Sequence, residues 1–541
     1  MFTLKSQSET LSIFLSGILL LTLIFCFYSF YQKFIKPALY WKIRRVFHVN
    51  LYNRFYNVFV SDKSFLEVIR DAYERFPDHR YYGSYQFLRP SLFVRDLELI
   101  KKITVKDFEY FYDHFSIVDQ TSDPVLNQNL FALKGQKWRN MRTTLSPAFT
   151  SSKMRQMFTL ITKTAENFTN FFLENSKNSK IELEIKEFYS KYTNDVIASC
   201  AFGIECDSLM NKDNEFFQMG TFFISAFKGL GALRGLANIL FPWLSRVLGI
   251  RVFPQFVTDF FKQIVRDTIA LREKEGIIRP DLIHLLMQAR KGHLKEDGCD
   301  SESVGFATVV ESESGKHSEA DKAELTDNLI TAQALVFFVA GFDTSSTLLT
   351  FVSYALALNP DIQQKLQNEI DETLSKTNGK LDYDAILKMK YLDQVVSEAL
   401  RLYPPAFAIS RICTKDYLIP AKQPNEKDLL IEKDCLLAIP IYGVHMCPDF
   451  FPNPDKFDPE RFSDANKPNL VSGSYMPFGA GPRNCIGSRF ALLETKALVV
   501  SLLSKLNLIP TEKTEIPIKF SKTAVLAPKN GLWLALEKRT K

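Results

Sequence analysis

Cys485 lies in a stretch rich in glycine and proline, where a thiolate can serve as a metal ligand. Residues 477–487 read PFGAGPRNCIG, and a helical pattern follows from residue 488. A thiolate ligand must be deprotonated, and nearby hydrogen-bond donors and positive charge lower the pKa of a cysteine. Backbone N–H groups of such a loop can point at the sulfur, and Gly481 and Gly487 permit close backbone approach. The alternative is a buried structural cysteine after a turn.

An acid and a threonine follow a glycine inside a long apolar segment. Residues 340–344 read AGFDT within the predicted helix 325–357. Glycine costs about 1 kcal/mol in a helix interior, so its presence asks for a reason. The hydroxyl of Thr344 can bond to an earlier carbonyl and bend the helix. The acid Asp343 beside it favours a functional site over the alternative, a plain kinked core helix.

Charged residues near residue 400 have the spacing of an ion-pair network. Glu398 and Arg401 lie three residues apart on a predicted helix, so their side chains share one face. Such pairs are common on surfaces and contribute little there. Arg461 follows in the stretch DPERF at 458–462.

Most of the chain after about residue 60 is predicted to form one large domain, mainly α with a smaller β region. The Asn359-Pro360 step ends one helix and begins the next. Residues 293–324 are polar, acidic and rich in serine, which predicts a flexible surface loop. Predicted helices lie near 64–76, 134–145, 152–175, 184–201, 252–275, 325–357, 360–375, 382–402 and 488–505, and predicted strands near 91–94, 435–440 and 530–537.

Composition excludes several classes of protein. The net charge of +6 is mild for 541 residues, and no run of lysine and arginine indicates a nucleic-acid partner. The eight cysteines include no C-x-x-C pair and no zinc spacing. A disulfide-rich secreted scaffold would be shorter and denser in cysteine.

The N-terminus predicts a membrane anchor. Residues 10–32 carry no charge, and a helix of this length spans about 34 Å, enough for a bilayer core of roughly 30 Å. Five basic residues between 33 and 45 follow it, which places the C-terminal side in the cytoplasm by the positive-inside rule. We therefore expect a signal-anchor helix in 1–32, a basic linker in 33–60 and the main domain in 61–541.

With these features in order, the chain resembles the cytochrome P450 haem-thiolate monooxygenases. Their F-x-x-G-x-R-x-C-x-G signature is complete here, at Phe478, Gly481, Arg483, Cys485 and Gly487. The resemblance covers essentially the whole chain after the anchor. Its further motifs are WRNMR at 138–142, AGFDT at 340–344, EALR at 398–401 and PERF at 459–462.

The resemblance implies haem b as the cofactor, with the Cys485 thiolate as the iron ligand. It implies a proton relay through Asp343 and Thr344, at a point where the helix opens to make room for O₂. Glu398, Arg401 and Arg461 would form a buried structural network. The residues implied to contact or surround the haem are Cys485, Phe478, Gly481, Arg483, Gly487, Trp138, Arg142 and Arg411, with Trp138 and the arginines facing propionates.

The implied activity is insertion of one oxygen atom of O₂ into small lipophilic substrates. No nucleotide-binding G-x-G-x-x-G lies between a strand and a helix, so we expect the electrons to come from a separate protein. The resemblance implies that this protein is the NADPH-dependent cytochrome P450 reductase, with cytochrome b5 as a second candidate donor. Lys137, Arg139, Lys153 and Arg489 are candidate docking charges. The strings around 138–158 and 338–347 resemble the insect microsomal xenobiotic-metabolising group, which implies the endoplasmic reticulum membrane with the catalytic domain in the cytoplasm.

Two alternatives remain at this point. A haem-thiolate isomerase or dehydratase would rearrange peroxides without a reductase, but that chemistry needs no proton relay at Asp343 and Thr344. A non-catalytic membrane carrier of haem or of another ligand is the other alternative.

The sequence leaves the substrate open, from plant toxins and insecticides to endogenous lipids and hormones. Apolar residues 216–253 are interpreted as core or as a lid that dips into the membrane. Candidate aromatic residues of the pocket are Phe111, Phe115, Phe337, Phe338 and Phe407, for which ordinary core packing is the alternative.

Overall fold

The computed structural model describes residues 2–86, 89–115, 125–175, 180–211, 213–225, 229–292, 304–308, 325–424, 426–523 and 525–540. Within them the chain forms nineteen α-helices and nine β-strands, which confirms the predicted mainly α fold with a smaller β region.

The helices carry most of the chain. In order they are α1 (Phe2–Phe30), α2 (Lys36–Ile43), α3 (Leu51–Phe55), α4 (Phe65–Glu74), α5 (Leu97–Lys101), α6 (Gly135–Leu145), α7 (Ser151–Asn175), α8 (Ile185–Ile197), α9 (Glu215–Ser225), α10 (Gly229–Leu240), α11 (Pro242–Val247), α12 (Gln255–Glu275), α13 (Leu282–Arg290), α14 (Asp327–Leu358), α15 (Pro360–Lys376), α16 (Tyr383–Lys388), α17 (Lys390–Leu402), α18 (Ile441–His445) and α19 (Ser488–Leu503). Short π-helical and 3₁₀ turns join several of them, among them Lys102–Lys106, Ala198–Phe202 and Pro459–Phe462.

Three small sheets lie beside the helices. The first has the order β1 (Tyr81–Gln86), β2 (Arg89–Val94), β7 (Leu436–Ile439), β4 (Ile409–Ile412), with β2 and β7 parallel and the other pairs antiparallel. The second has the order β3 (Ile181–Glu184), β9 (Trp533–Lys538), β8 (Leu506–Pro510), and the third pairs β5 (Tyr417–Ile419) with β6 (Leu429–Ile431). The predicted strands near 91–94, 435–440 and 530–537 correspond to β2, β7 and β9.

Helix α14 runs through the centre of the protein. The side chain of Thr326 accepts a hydrogen bond from the backbone N–H of Leu329 and caps its start, and Asn359-Pro360 ends it. Of the described residues, only this helix is long and apolar enough to cross a membrane, and 61% of its most apolar stretch is buried. It is therefore the core helix that positions the residues of the AGFDT motif.

The N-terminal helix contains the predicted anchor. The side chains described between Phe14 and Phe30 are largely exposed and mostly apolar. The following predicted linker packs on the main domain, because Trp41 is fully buried and its Nε1 donates to the carbonyl oxygen of Ser84 at 2.9 Å. A Cβ at Gly83 would lie 2.5 Å from that indole, so glycine is required there.

Most of the predicted loop 293–324 lies outside the described residues. Its described part, 304–308, packs on the protein, with Val304 and Ala307 buried. The apolar stretch 216–253 forms most of α9, with α10 and α11.

Candidate active site

The cysteine loop, residues 477–487, is held in shape by its glycines and by the backbone. Gly481 has φ +73°, and a Cβ there would lie 1.8 Å from the carbonyl oxygen of Thr104. No other residue type fits that contact. The backbone N–H of Cys485 donates to the carbonyl oxygen of Phe478 at 2.9 Å, which closes the loop just before α19.

The Cys485 thiol lies deep in the protein, but its exposed surface faces an internal cavity. Burial raises the pKa of this thiol, whereas the backbone N–H of Gly487 and the charge of Arg142 lower it. The last two effects favour a thiolate, although burial is the larger effect and the pKa of the thiol is raised overall.

The cavity measures about 330 Å³ and separates Cys485 from α14. Its opposite wall carries Ala340, Gly341 and Thr344. Most of the remaining lining is apolar, and includes Leu130, Phe131, Phe149, Ile197, Phe337, Leu348, Ile409 and Phe478. Its volume and its apolar lining are typical of a pocket for a small apolar ligand.

The two residues of the predicted proton relay face in different directions. Thr344 lines the cavity, and its Oγ1 donates to the carbonyl oxygen of Ala340 without interrupting the helix. The expected opening of α14 is therefore absent from this described stretch. Asp343 instead points to α8, where its Oδ1 lies 2.8 Å from Nζ of Lys186.

Lys186 is a residue that sequence reasoning missed. Besides the Asp343 carboxylate, its ammonium group donates to the Asp343 carbonyl at 3.0 Å, to Ser346 Oγ at 2.7 Å and to Thr347 Oγ1 at 2.9 Å. The ion pair is partly exposed, with 16% of the Lys186 side chain and 22% of the Asp343 side chain accessible. The Lys186–Asp343 ion pair thus connects the face of α14 that points towards α8 with solvent.

Arg483 has partners other than those expected. Its Nε donates to the carbonyl oxygen of Tyr112 at 2.7 Å, and its two Nη atoms donate to Leu130 at 3.1 Å and Leu133 at 2.6 Å. Its guanidinium lies 4.2 Å above the ring of Trp138, which is 3% exposed. These hydrogen bonds tie the cysteine loop to the backbone at Tyr112, Leu130 and Leu133. The propionate contact of Arg483 stays a prediction.

Arg142 and Arg411 lie on either side of this arrangement. Arg142 donates to the backbone oxygen of Asn484 at 3.0 Å and to its side-chain oxygen at 2.7 Å. Arg411 is 1% exposed, and its Nε and Nη2 have no hydrogen-bond partner among the described residues. Burial lowers the pKa of Arg411 to about 10. The adjacent His114, which lines the cavity, was not anticipated from the sequence.

The predicted ion-pair network is confirmed. Arg401 donates through Nε and Nη2 to both carboxylate oxygens of Glu398, at 2.7 and 2.8 Å, and both residues are 0% exposed. Arg461 Nε lies 3.3 Å from Glu398 Oε1. Arg401 also donates to the carbonyl oxygens of His445 and Pro454, so the network joins α17 to the chain that precedes the cysteine loop.

The predicted pocket aromatics divide into two groups. Phe337 lines the cavity and contacts Phe149, a residue not anticipated. Phe338 instead belongs to the phenylalanine cluster (Phe202, Phe216, Phe261 and Phe338), in which all ring centroids lie 5.0–6.2 Å apart. Phe111, Phe115 and Phe407 are not among the residues that line the described cavity, and Phe111 packs against Tyr417.

Glu494 on α19 is a further residue that the sequence did not single out. It is 1% exposed, and neither carboxylate oxygen has a hydrogen-bond partner in the described structure. Burial raises the pKa of its side chain to about 8, and the nearby Ser345 hydroxyl, although it makes no hydrogen bond within the described part of the chain, acts in the opposite direction. It therefore carries its proton at neutral pH.

Comparison with known proteins agrees with this geometry. The family model named Cytochrome P450 matches residues 50–535. Cytochrome P450 9e2 of Blattella germanica is 47% identical over 492 residues, covering 88% of this chain and 89% of its own length. Probable cytochrome P450 9f2 of Drosophila melanogaster is 37% identical, with coverage of 89% and 91%, and cytochrome P450 6k1 of Blattella germanica is 35% identical, with coverage of 97% of both chains. The chain, with its cysteine loop facing the threonine of α14 across an apolar cavity, therefore belongs to the cytochrome P450 family of haem-thiolate monooxygenases.

Proposed function

We propose that this monooxygenase inserts one oxygen atom of O₂ into small lipophilic compounds, with the Cys485 thiolate as the iron ligand. The observation that carries the proposal is the position of the thiol, which opens onto a largely apolar cavity opposite Thr344. Xenobiotics such as plant toxins or insecticides, and endogenous lipids or hormones, have the chemistry that such a lining accepts.

The residues present fit the haem b that the family uses. Arg411 keeps two buried donors without partners, as expected for a guanidinium that awaits a carboxylate. We propose that Arg411, Arg142 and the indole N–H of Trp138 hold the propionates, and that Phe478 shields the thiolate from water. Arg483 and Gly481 would hold the cysteine loop in the shape that presents Cys485 to the haem.

When bound, the haem supplies the iron at which O₂ is activated, with electron density donated by the thiolate. The chain's own contribution is to exclude water and to deliver protons. We propose that Thr344 passes protons into the cavity and that Asp343 supplies them from the outer face of α14. Lys186 holds the Asp343 carboxylate at the partly exposed end of this route.

Electrons are proposed to come from NADPH through cytochrome P450 reductase, with cytochrome b5 as a second donor. Lys137 and Arg139 on α6 are exposed basic residues on the element that also carries Arg142. An acidic partner surface would be attracted to them. Lys153 and Arg489 are partly buried, and Arg489 donates to the carbonyl oxygen of Phe149, so they are weaker candidates for docking.

We further propose that α1 anchors the protein in the endoplasmic reticulum membrane with the main domain in the cytoplasm. Its exposed apolar side chains and the basic residues that follow support this orientation. The stretch 216–253 exposes Trp243 by 72%, Val247 by 64% and Leu248 by 62%. These side chains support the interpretation of α10 and α11 as a surface that dips into the bilayer.

The reduced, carbon-monoxide-bound spectrum tests the ligand, comparing the wild type with Cys485→Ala. We expect a thiolate-type band that the variant lacks, and a band that persists in Cys485→Ala would refute the assignment. Turnover of a panel of lipophilic compounds should require NADPH and the reductase. Conversion of a hydroperoxide alone would favour an isomerase or dehydratase, and ligand binding without any product would favour a carrier.

A further inference from the structure

Residues 304–308, which read VGFAT, form a docked segment between α13 and α14. Val304 and Ala307 are 1% and 4% exposed, although the connection 293–324 as a whole is polar and acidic. The segment packs against α17, α19 and the chain around Tyr475, which leads directly into the cysteine loop. A short apolar piece inside a polar connection points to a specific binding contact.

A buried ion pair receives the backbone of the docked segment. Lys496 on α19 is 1% exposed, and its Nζ lies 2.9 Å from Asp393 Oδ1 on α17. The same ammonium group donates to the carbonyl oxygen of Val304 at 2.7 Å, and the backbone N–H of Phe306 donates to Asp393 Oδ2 at 2.9 Å. The segment thus completes the hydrogen bonding of charges that would otherwise be buried with fewer partners.

Gly305 lies between the two residues that make these hydrogen bonds, and it packs closely against the ion pair. A Cβ at Gly305 would lie 2.0 Å from Asp393 Oδ1 and 2.8 Å from Lys496 Nζ. Any other residue type would have to displace the Asp393 carboxylate, the Lys496 ammonium group or the segment itself, so glycine fits this position best.

Phe306 extends an aromatic stack that supports the cysteine loop. Its ring stacks on Tyr475 with centroids 5.5 Å apart, and Tyr475 also stacks on His445 at 5.5 Å. Phe462 packs at a tilted angle against both Phe306 and Tyr475, with centroids 5.3 and 4.7 Å away. Tyr475 donates through its hydroxyl to the carbonyl oxygen of Ser397 at 2.9 Å. His445 Nε2 in turn accepts from the backbone N–H of Met476 at 3.0 Å, two residues before Phe478.

We infer that Phe306 is a positioning residue for the cysteine loop, acting through Tyr475 and His445. When residues 304–308 are docked, the Phe306 ring covers one face of Tyr475 and holds the stacked rings of Tyr475 and His445 in place. The cysteine loop, residues 477–487, follows directly after this part of the chain. The inference rests on the proposed function, because it assumes that the loop presents Cys485 to the haem. Its contribution is to the placement and retention of the thiolate, not to the chemistry itself.

Hydrogen exchange of the full-length holoenzyme tests the inference through the backbone amides of residues 475–485. In Phe306→Ala these amides should exchange roughly twofold to tenfold faster, which is the effect expected from losing one aromatic pair. Phe306→Tyr should restore the wild-type rate. Phe256→Ala is the control, because Phe256 is an exposed phenylalanine on α12 whose ring contacts Phe222.

The second measurement is the rate at which the reduced, carbon-monoxide-bound protein loses its thiolate-type band on warming. It should rise by a similar factor in Phe306→Ala and return to normal in Phe306→Tyr. Where the alanine variant does not fold, Phe306→Leu should show the same change at smaller size.

Unchanged exchange at 475–485 in Phe306→Ala, or an equal change in Phe256→Ala, would overturn the inference. A wild-type protein without a thiolate-type band would instead overturn the proposed function, and hydrogen exchange would still decide whether 304–308 supports the loop.

Discussion

Glu494 is a buried acid whose replacement by glutamine should flatten the pH dependence of stability. Burial raises the pKa of its carboxyl from 4.5 to about 8. In the unfolded chain the group is solvated and ionises near 4.5, so over this range the folded state binds a proton that the unfolded state has released. The stability associated with that proton is fully present below pH 4.5 and is lost as the pH rises to about 8.

The size of the effect follows from the two pKa values. A difference of one between the folded and unfolded pKa values corresponds to about 1.4 kcal/mol. The difference between 4.5 and about 8 therefore limits the total loss in free energy of unfolding to about 5 kcal/mol. Most of it falls between pH 5 and pH 8, where Glu494 should lower the free energy of unfolding by about 3–4 kcal/mol. The glutamine side chain has nearly the same shape and does not titrate, so this part of the pH dependence should disappear.

Urea unfolding at pH 5, 6, 7 and 8, followed by far-ultraviolet circular dichroism, measures the effect. The gap in free energy of unfolding between Glu494→Gln and the wild type should widen with pH in favour of the variant. Glu512→Gln, a change at an exposed carboxylate, is the control and should run parallel to the wild type. A gap that stays constant from pH 5 to pH 8 would show that Glu494 is already ionised in the folded protein.

Three further changes test other parts of the site and core. Lys186→Met removes the partner that holds the Asp343 carboxylate, so kcat should fall by about tenfold while the substrate-induced spectral shift stays the same. Gly481→Ala forces a Cβ against the carbonyl oxygen of Thr104 at a positive φ, and should destabilise the protein by at least ~2 kcal/mol and lower the haem content per polypeptide. Phe338→Ala opens the phenylalanine cluster and should lower the free energy of unfolding by about 3–5 kcal/mol, measured in urea.

Each change has a matched control. Lys191→Met breaks an ion pair with Glu187 on the same helix and should leave kcat unchanged. Gly473 also has a positive φ, but a Cβ there would lie in open space, so Gly473→Ala adds backbone strain without a clash. An equal loss of haem in Gly473→Ala would therefore exclude the clash with Thr104 as the cause. Phe256→Ala should cost far less than Phe338→Ala, because Phe256 is 52% exposed; equal costs would contradict the role given to the cluster.

The elements that position the site could be predicted where a local pattern determines them. The cysteine loop is recognisable from the sequence because the turn requires a glycine at 481 and the ligand is a cysteine only four residues later. The two ends of α14 follow from a capping threonine and from Asn359-Pro360. The single helix predicted for 382–402 is instead two, since Met389 has φ −76° and ψ 91° and separates α16 from α17. No residue of that stretch gives a strong stop signal.

The contacts that could not be predicted join parts of the chain that are distant in sequence. Lys186 reaches Asp343 across 157 positions, and nothing near either residue indicates the pairing. Phe337 and Phe338 are adjacent on α14, and the apolar residues all around this buried helix hide which one faces the cavity. The same holds for Arg483, whose residue type suggests a carboxylate partner but whose position gives it three backbone carbonyls.

Those three carbonyls make Arg483 a thermodynamic link between two binding events. Leu130 lines the cavity, and Arg483, which donates to Leu130 as well as to Tyr112 and Leu133, belongs to the cysteine loop. We expect a ligand that packs against Leu130 to stabilise the cysteine loop through these bonds, and by reciprocity the cofactor to raise the affinity for that ligand by the same factor. A tightly bound ligand is then expected to slow the loss of haem from the enzyme.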